Sequence, residues 1–229
     1  MASNQKIVIS LGGSLIVPDV VDVNFVSCLK VFLESKIKEG KEFILVAGGG
    51  RTARRYQSAG KEIANLSSDE LDWVGIYSLR LNAEFIRIIF GSLAHPEVVT
   101  DPKDISKTTK PLVVGGAQAP GHSTDYVAVL FAKEVGAKQV INLSNIDFVY
   151  DKDPKNNPDA KKIEKISWSD FRKIIPEKWE PGLNAPFDPI AAKLAQELGL
   201  EVALMNGKPI DNLKNYIEGT PFKGTVIKG

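Results

Sequence analysis

At three places in this chain a short apolar run ends on adjacent glycines. Residues 6–11 (KIVISL) lead into Gly12, Gly13 and Ser14; residues 42–47 lead into Gly48, Gly49 and Gly50; residues 111–114 lead into Gly115 and Gly116. Short apolar runs bounded by turn residues are the pattern of strands buried on both faces, as parallel sheets carry them. Adjacent glycines let the backbone come close to a ligand and adopt φ > 0. After the second run come Arg51, Thr52, Ala53, Arg54, Arg55 and Tyr56, a basic segment of helical character. A helix N-terminus presents free N–H groups and a positive dipole, and arginine adds fixed charge in a fork geometry. These features suit an oxyanion, phosphate first among them. One such run alone would read as a tight βα turn with solvated arginines; the repetition favours a ligand.

The segments between the glycine turns read as helices. Phe25, Leu29, Phe32, Leu33 and Ile37 recur at helical spacing, with Gly40 as the stop. The order β–loop–α–β–loop–α predicts a parallel sheet with helices on its faces and ligands at the carboxyl ends of its strands. A helix start at Ser67, Ser68, Asp69 and Glu70 predicts a helix to about Phe90. Its apolar residues Leu71, Trp73, Val74, Ile76, Leu79, Phe85, Ile86 and Ile89 go most of the way round, which predicts burial on several sides, at the centre of the domain or at a subunit interface. Asp72, by its spacing, reads as a solvated carboxylate favourable to the helix dipole. Residues 116–123 read G-x-x-x-x-G-H-S, with His122 where a P-loop carries lysine, so a P-loop NTPase is rejected. Ser123 and Thr124 suit capping of the next helix, which Gly136 stops, or donation to a ligand.

Residues 139–143 read as a strand; Asp147 at its end is either a turn residue or a catalytic carboxylate. Residues 150–154 form a polar turn, and the proline-rich residues 175–186 are the candidate for a mobile lid. Asp188 and Pro189 read as N-cap and first residue of a helix whose buried stripe is Ile190, Leu194 and Leu198. Lys193 near that helix start runs against the dipole and is assigned to a negative ligand. Residues 201–205, 211–218 and 224–227 read as strand, helix and strand.

The formal net charge of +1 on 229 residues gives no sign of nucleic-acid or membrane binding. The lone Cys28 excludes an internal disulfide, fits a reducing compartment and is expected to pack within its helix. No signal peptide and no long apolar run are evident, so a cytoplasmic protein is expected. His95 and His122 form no zinc-type cluster with cysteine, and no G-x-G-x-x-G follows the first strand, against a dehydrogenase.

Residues 9–15 (ISLGGSL), 48–56 (GGGRTARRY), 75–83 (GIYSLRLNA), 121–125 (GHSTD), 145–154 (NIDFVYDKDP) and 188–193 (DPIAAK) come in one order over nearly the whole chain. In this the sequence resembles the amino-acid kinase superfamily, and within it the UMP kinases of archaeal type. The resemblance implies a three-layer α/β/α sandwich with a mainly parallel central sheet, as one domain over residues 1–229. Its N-terminal part would mainly serve the acceptor nucleotide, and its C-terminal part ATP. It further implies ATP contacts at Gly12, Gly13, Ser14, Asn145, Tyr150 and Asp153. UMP contacts are implied at Gly48, Gly49, Gly50, Arg54, Asp72, Gly121, Ser123, Thr124 and Asp125. Lys193 would reach toward the transferred phosphate, and Asp147 and Asp188 would order the active centre. Mg2+ would arrive with ATP, with no protein metal ligand assigned, and the assembly would be a homohexamer built from dimers.

The chain departs from the family in two places. Ser10 stands where many members have a lysine, and Arg51 is the candidate to supply the missing charge. Phe148 stands where the family usually has glycine, which predicts a narrower ATP site or a changed backbone angle. The readings left open are phosphorylation of another small phosphate or carboxylate, and a non-catalytic nucleotide- or oxyanion-binding relative.

Overall fold

The apolar runs form the sheet. The computed structural model describes residues 6–178 and 185–229. The chain begins with β1 (Ile7–Leu11), the single-turn α1 (Gly13–Ile16), α2 (Val23–Lys38) and β2 (Phe43–Ala47). It continues with α3 (Gly50–Ile63), α4 (Ser68–Phe90), β3 (Leu112–Gly115), α5 (Thr124–Glu134) and β4 (Gln139–Ser144). Then come β5 (Val149–Tyr150), β6 (Lys162–Ile163), β7 (Lys165–Ile166) and α6 (Trp168–Ile174). The last elements are α7 (Pro189–Glu197), β8 (Glu201–Asn206), α8 (Asp211–Ile217) and β9 (Thr225–Ile227).

Seven strands lie in the order β3-β2-β1-β4-β8-β9-β7. From β3 to β8 every pairing is parallel; β9 runs antiparallel to β8, and β7 parallel to β9. β5 and β6 form a separate antiparallel pair. The mainly parallel sheet and the helices on both its faces are the predicted three-layer sandwich. Strand alternation separates two cores. Val8, Val46 and Val140 face a layer holding α5, α6 and α7, with Trp168, Phe171 and Phe187 fully buried in it. Ile9, Leu45 and Ile141 face α1, α2 and α8. Each fully buried side chain of that size contributes roughly 1.5–3 kcal/mol.

The helix starts follow local chemistry. Ser67 and Glu70 form a reciprocal capping box, Ser123 accepts from Tyr126 N–H, and Asp188 accepts from Ala191 N–H with Pro189 in the first turn. Each such cap contributes about 1 kcal/mol.

Two expectations about faces are overturned, and a third is narrowed. α4 buries Leu71, Ile76, Leu79 and Ile86 but leaves Trp73, Tyr77, Leu81 and Ile88 exposed along one stripe, so it is not enclosed at the centre of the domain. α7 buries Ala191, Ala192 and Ala195, while Ile190 and Leu198 are exposed, because close packing against α5 admits only small side chains. Cys28 lies in α2 but on its exposed side. Of the expected lid, residues 179–184 lie outside the described residues.

Candidate active site

β1 and β4 are neighbours, yet β1 is followed by β2 and β3 on one side and β4 by β8 on the other. A switch of this kind opens a crevice at the carboxyl ends of the strands. The turns after β1, β2 and β4 meet there. A Cβ on Gly13 would lie 2.1 Å from Gly50 N and 2.5 Å from Gly48 O, and one on Gly48 would lie 2.7 Å from Gly13 N. Gly12 N–H donates to Leu143 O (2.8 Å) and Gly48 N–H to Leu11 O (2.9 Å). The first and second glycine turns are therefore in backbone contact, each excluding side chains from the other. Gly50, at φ +65, turns the chain into α3.

α4 braces the second turn. Asn82, buried, donates through Nδ2 to Gly48 O (2.8 Å) and Gly49 O (3.2 Å). Two residues earlier, Arg80 holds the third glycine loop by donating to Ala117 O and Gln118 O. Asp72 is not the solvated carboxylate its spacing predicts. It is buried, Oδ2 accepts from Gly121 N–H at 2.5 Å, and burial pushes its carboxyl up while that bond opposes the shift.

Ser123 serves as the cap of α5, and Thr124 Oγ1 lies 3.3 Å from where a Cβ on Gly48 would stand. Asp125 turns inward. Oδ1 accepts from Ser10 Oγ (2.8 Å) and Asn142 Nδ2 (2.6 Å), and Oδ2 from Asp188 N–H (3.2 Å). Burial pushes its carboxyl up to about 6 against these donors, with the Asp188 charge adding to the rise. Burial likewise raises Asp188, whose Oδ1 accepts from Ala191 N–H.

On the side of β4, Asn145 and Asp147 are exposed, and Asp147 Oδ1 accepts from Asn206 Nδ2 (2.9 Å). Ser14 is half-buried in α1 and Tyr150 half-buried in β5. Asp153 holds its own turn, accepting from Lys155 N–H and Asn156 Nδ2. Phe148 needs no glycine-type backbone, since no non-glycine residue among those described has a positive φ; its ring lies 4.9 Å from the Lys162 ammonium.

The cations divide. Arg54 is exposed and has no acidic partner among the described residues. Arg51 is exposed with Nη1 3.7 Å from Asp19 Oδ1, and Arg55 pairs with the same carboxylate. Lys193 is exposed on the side of α7 away from its buried alanines. It lines a cavity of about 490 Å³ with Arg172, Ile175, Pro176, Glu177, Pro189 and Ile190, none of them from a glycine turn. Among the described residues no three His, Cys, Asp or Glu side chains gather as a metal site.

Sequence reasoning missed Asn82, Arg80 and Asn142. Asn142 had a signal, since it is the one polar residue within the run 140–143 of a central strand. Asn82 and Arg80 had none in composition or spacing.

Residues 5–206 match the amino acid kinase family. The chain is 35% identical over 228 residues to the uridylate kinase of Thermococcus kodakarensis, covering 98% of this chain and 100% of that one. It is 34% identical over 227 residues to the uridylate kinase of Pyrococcus abyssi, with the same coverage. The crystal structure of uridylate kinase from Archaeoglobus fulgidus superposes with a TM-score of 0.83 at 30% identity, over 97% of this chain and 99% of that one. UMP kinase from Bacillus anthracis shares the fold, with a TM-score of 0.76 at 20% identity.

Proposed function

The chain belongs to the amino acid kinase family, and we propose that within it the protein phosphorylates UMP from ATP, giving UDP and ADP. The observation that carries this reading is the backbone contact between the turn of Gly12 and Gly13 and the turn of Gly48, Gly49 and Gly50. Two phosphate cradles in contact suit a donor and an acceptor phosphate held end to end. Full-length similarity to archaeal uridylate kinases supports the choice of UMP.

Phosphoryl transfer is mostly in-line positioning and neutralisation of charge on the equatorial oxygens. The acceptor is a phosphate dianion, so no general base is needed. Gly12, Gly13 and Ser14 would hold the ATP phosphates, with Asn145, Tyr150 and Asp153 toward the adenosine. Gly48, Gly49, Gly50 and Arg54 would hold the acceptor phosphate. Gly121, Ser123 and Thr124 would close round the nucleoside, with Asp72 fixing their loop. Arg51 would swing from Asp19 to supply the charge that Ser10 lacks. Mg2+ binds reluctantly without its water and takes few protein ligands, which fits a site whose donors are cradles for phosphate. Bound with ATP, it would neutralise phosphate charge.

The pathway is pyrimidine nucleotide synthesis, in the cytoplasm, with the chain acting as one domain through which a single large sheet runs. A homohexamer built from dimers follows from the family likeness. The exposed stripe Trp73, Tyr77, Leu81 and Ile88 supports self-association, since apolar side chains in a row favour a covering partner.

The test is ADP release with ATP and Mg2+ across UMP, CMP, dUMP, AMP and GMP. Strong turnover with UMP is expected. Nucleotide binding without ADP release from any of them would overturn the reading in favour of a non-catalytic relative.

A further inference from the structure

Ser10 and Asn142 interrupt the apolar interiors of two central strands, and they are register partners across β1 and β4. Both are almost fully buried, at 2% and 4% exposure. By strand alternation they share the face that carries Val8 and Val140, beneath α5. Both donate to the same atom, Asp125 Oδ1. Through Oδ2 the Asp125 carboxylate receives Asp188 N–H, at the N-cap of α7. One carboxylate thus ties β1, β4, α5 and α7 together. Two acceptor atoms in the cluster are buried without a hydrogen-bond partner, Asn142 Oδ1 and Asp188 Oδ2.

A buried carboxylate needs donors or a counter-charge. The charged group facing Asp125 from α7 is Asp188, of like sign; β1 and β4 bring neutral Ser10 and Asn142. β2 brings the apolar Ile44 and Val46, the turn of residues 102–107 brings Ile105, and His122 in the loop before α5 acts on Asp188. Among the described residues no cation faces Asp125, and of the pair His122 acts on Asp188, so neutral donors on Oδ1 support the ionised form of Asp125. Asn142 gives the shorter of the two bonds. The residue before Asp125 is Thr124, which packs on Gly48. Whatever fixes the Asp125 carboxylate therefore fixes the first turn of α5 against one cradle and the start of α7 beside it.

We propose that Asn142 is a positioning residue for phosphoryl transfer, acting with Ser10 through Asp125 on the first turns of α5 and α7. The proposal rests on the reading of the site as a phosphoryl-transfer centre.

The experiment compares Asn142→Ala, Ser10→Ala and the double variant with the unaltered protein, in kcat, KM for UMP, and the pH dependence of kcat. Asn142→Ala is expected to lower kcat about tenfold or more with KM for UMP changed by less than about threefold, as for an interaction that acts in the transition state. The acid limb of kcat should move upward by roughly one pH unit, because the ionised carboxylate has lost a donor. The double variant should lose less than the product of the single losses, since both donors serve one oxygen. A folded Asn142→Ala protein with unchanged kcat and unchanged acid limb overturns the proposal, as does a loss confined to KM or to thermal stability. If Asn142→Ala does not fold, Ser10→Ala carries the same expectation for the acid limb. If the unaltered protein turns over no nucleotide, the functional reading fails on its own. Carbon-13 titration of the Asp125 carboxyl in the ligand-free protein then decides the positioning claim: it should titrate higher in Asn142→Ala, and an identical titration overturns it.

Discussion

Gly13 and Gly50 stand so close that a single methyl group on Gly13 would come within 2.1 Å of the Gly50 nitrogen. The obstacle is backbone, which cannot rotate away as a side-chain tip can. Gly13→Ala must therefore separate the two cradles, and a displacement of about 1 Å at a reacting centre costs on the order of 100-fold in rate. Gly199, with φ +61 and nothing within 4 Å of its would-be Cβ, is the contrast. Gly199→Ala should cost about 1–2 kcal/mol in stability through its backbone angle and leave kcat unchanged. Steady-state kinetics and thermal melts on the pair check both statements. Equal kinetic losses in the two variants would refute the contact argument.

Asn82 joins α4 to the second cradle through two carbonyl oxygens. Asn82→Leu keeps the volume and removes the donor, leaving Gly48 O and Gly49 O without it. A loss of about 1–3 kcal/mol in stability is expected. The KM for UMP should rise, because the acceptor cradle loses its brace. Denaturant titration and UMP saturation curves measure the two effects, and an unchanged KM would detach Asn82 from the site.

Thermal stability should be highest near pH 5. Burial pushes the Asp125 carboxyl up to about 6 in the folded chain, against about 3.9 in an unfolded one. Between those values the folded state binds more protons, so this group's contribution to stability falls as pH rises through the window and stays low above it. The difference is on the order of 3 kcal/mol. Asp72 and Asp188, also raised by burial, act in the same sense. Asp22, held low chiefly by Lys208, and Glu70, held low by Ser67, act oppositely: their stabilisation is present above their unfolded values and lost toward strong acid. Melting curves from pH 4 to 8 should therefore slope downward from pH 5 to pH 7. Asp125→Asn should flatten that slope; a slope unchanged in the variant would place its origin elsewhere.

Arg54 and Lys193 should separate in their kinetics. Arg54 lies on the helix that leaves the acceptor cradle and has no acidic partner among the described residues. Lys193 faces a cavity outside the glycine turns. Arg54→Ala should lower kcat/KM for UMP by about 100-fold or more, as loss of a charge-assisted phosphate contact does. Lys193→Ala should cost less than about tenfold. The reverse ranking would favour the contact of Lys193 with the transferred phosphate that the family resemblance implies.

Much of this protein was legible without its structure. The strands, the glycine turns at their carboxyl ends and the capped helix starts at Ser67, Ser123 and Asp188 follow from chemistry within a few residues. Turn geometry and end-capping are local, so spacing reports them. The tertiary structure decided which face of each helix is covered and which polar groups meet. Trp73, Tyr77, Leu81 and Ile190 are apolar yet exposed, whereas Asp72 is charged yet buried. Exposure depends on the layer packed above, which periodicity does not record. Asp72 is buried because the loop at Gly121 folds over it, and Asn142 gains its role because strand register sets it beside Ser10 under Asp125. Those pairings join residues far apart in the chain, and only the packing of strands and helices fixes their distances.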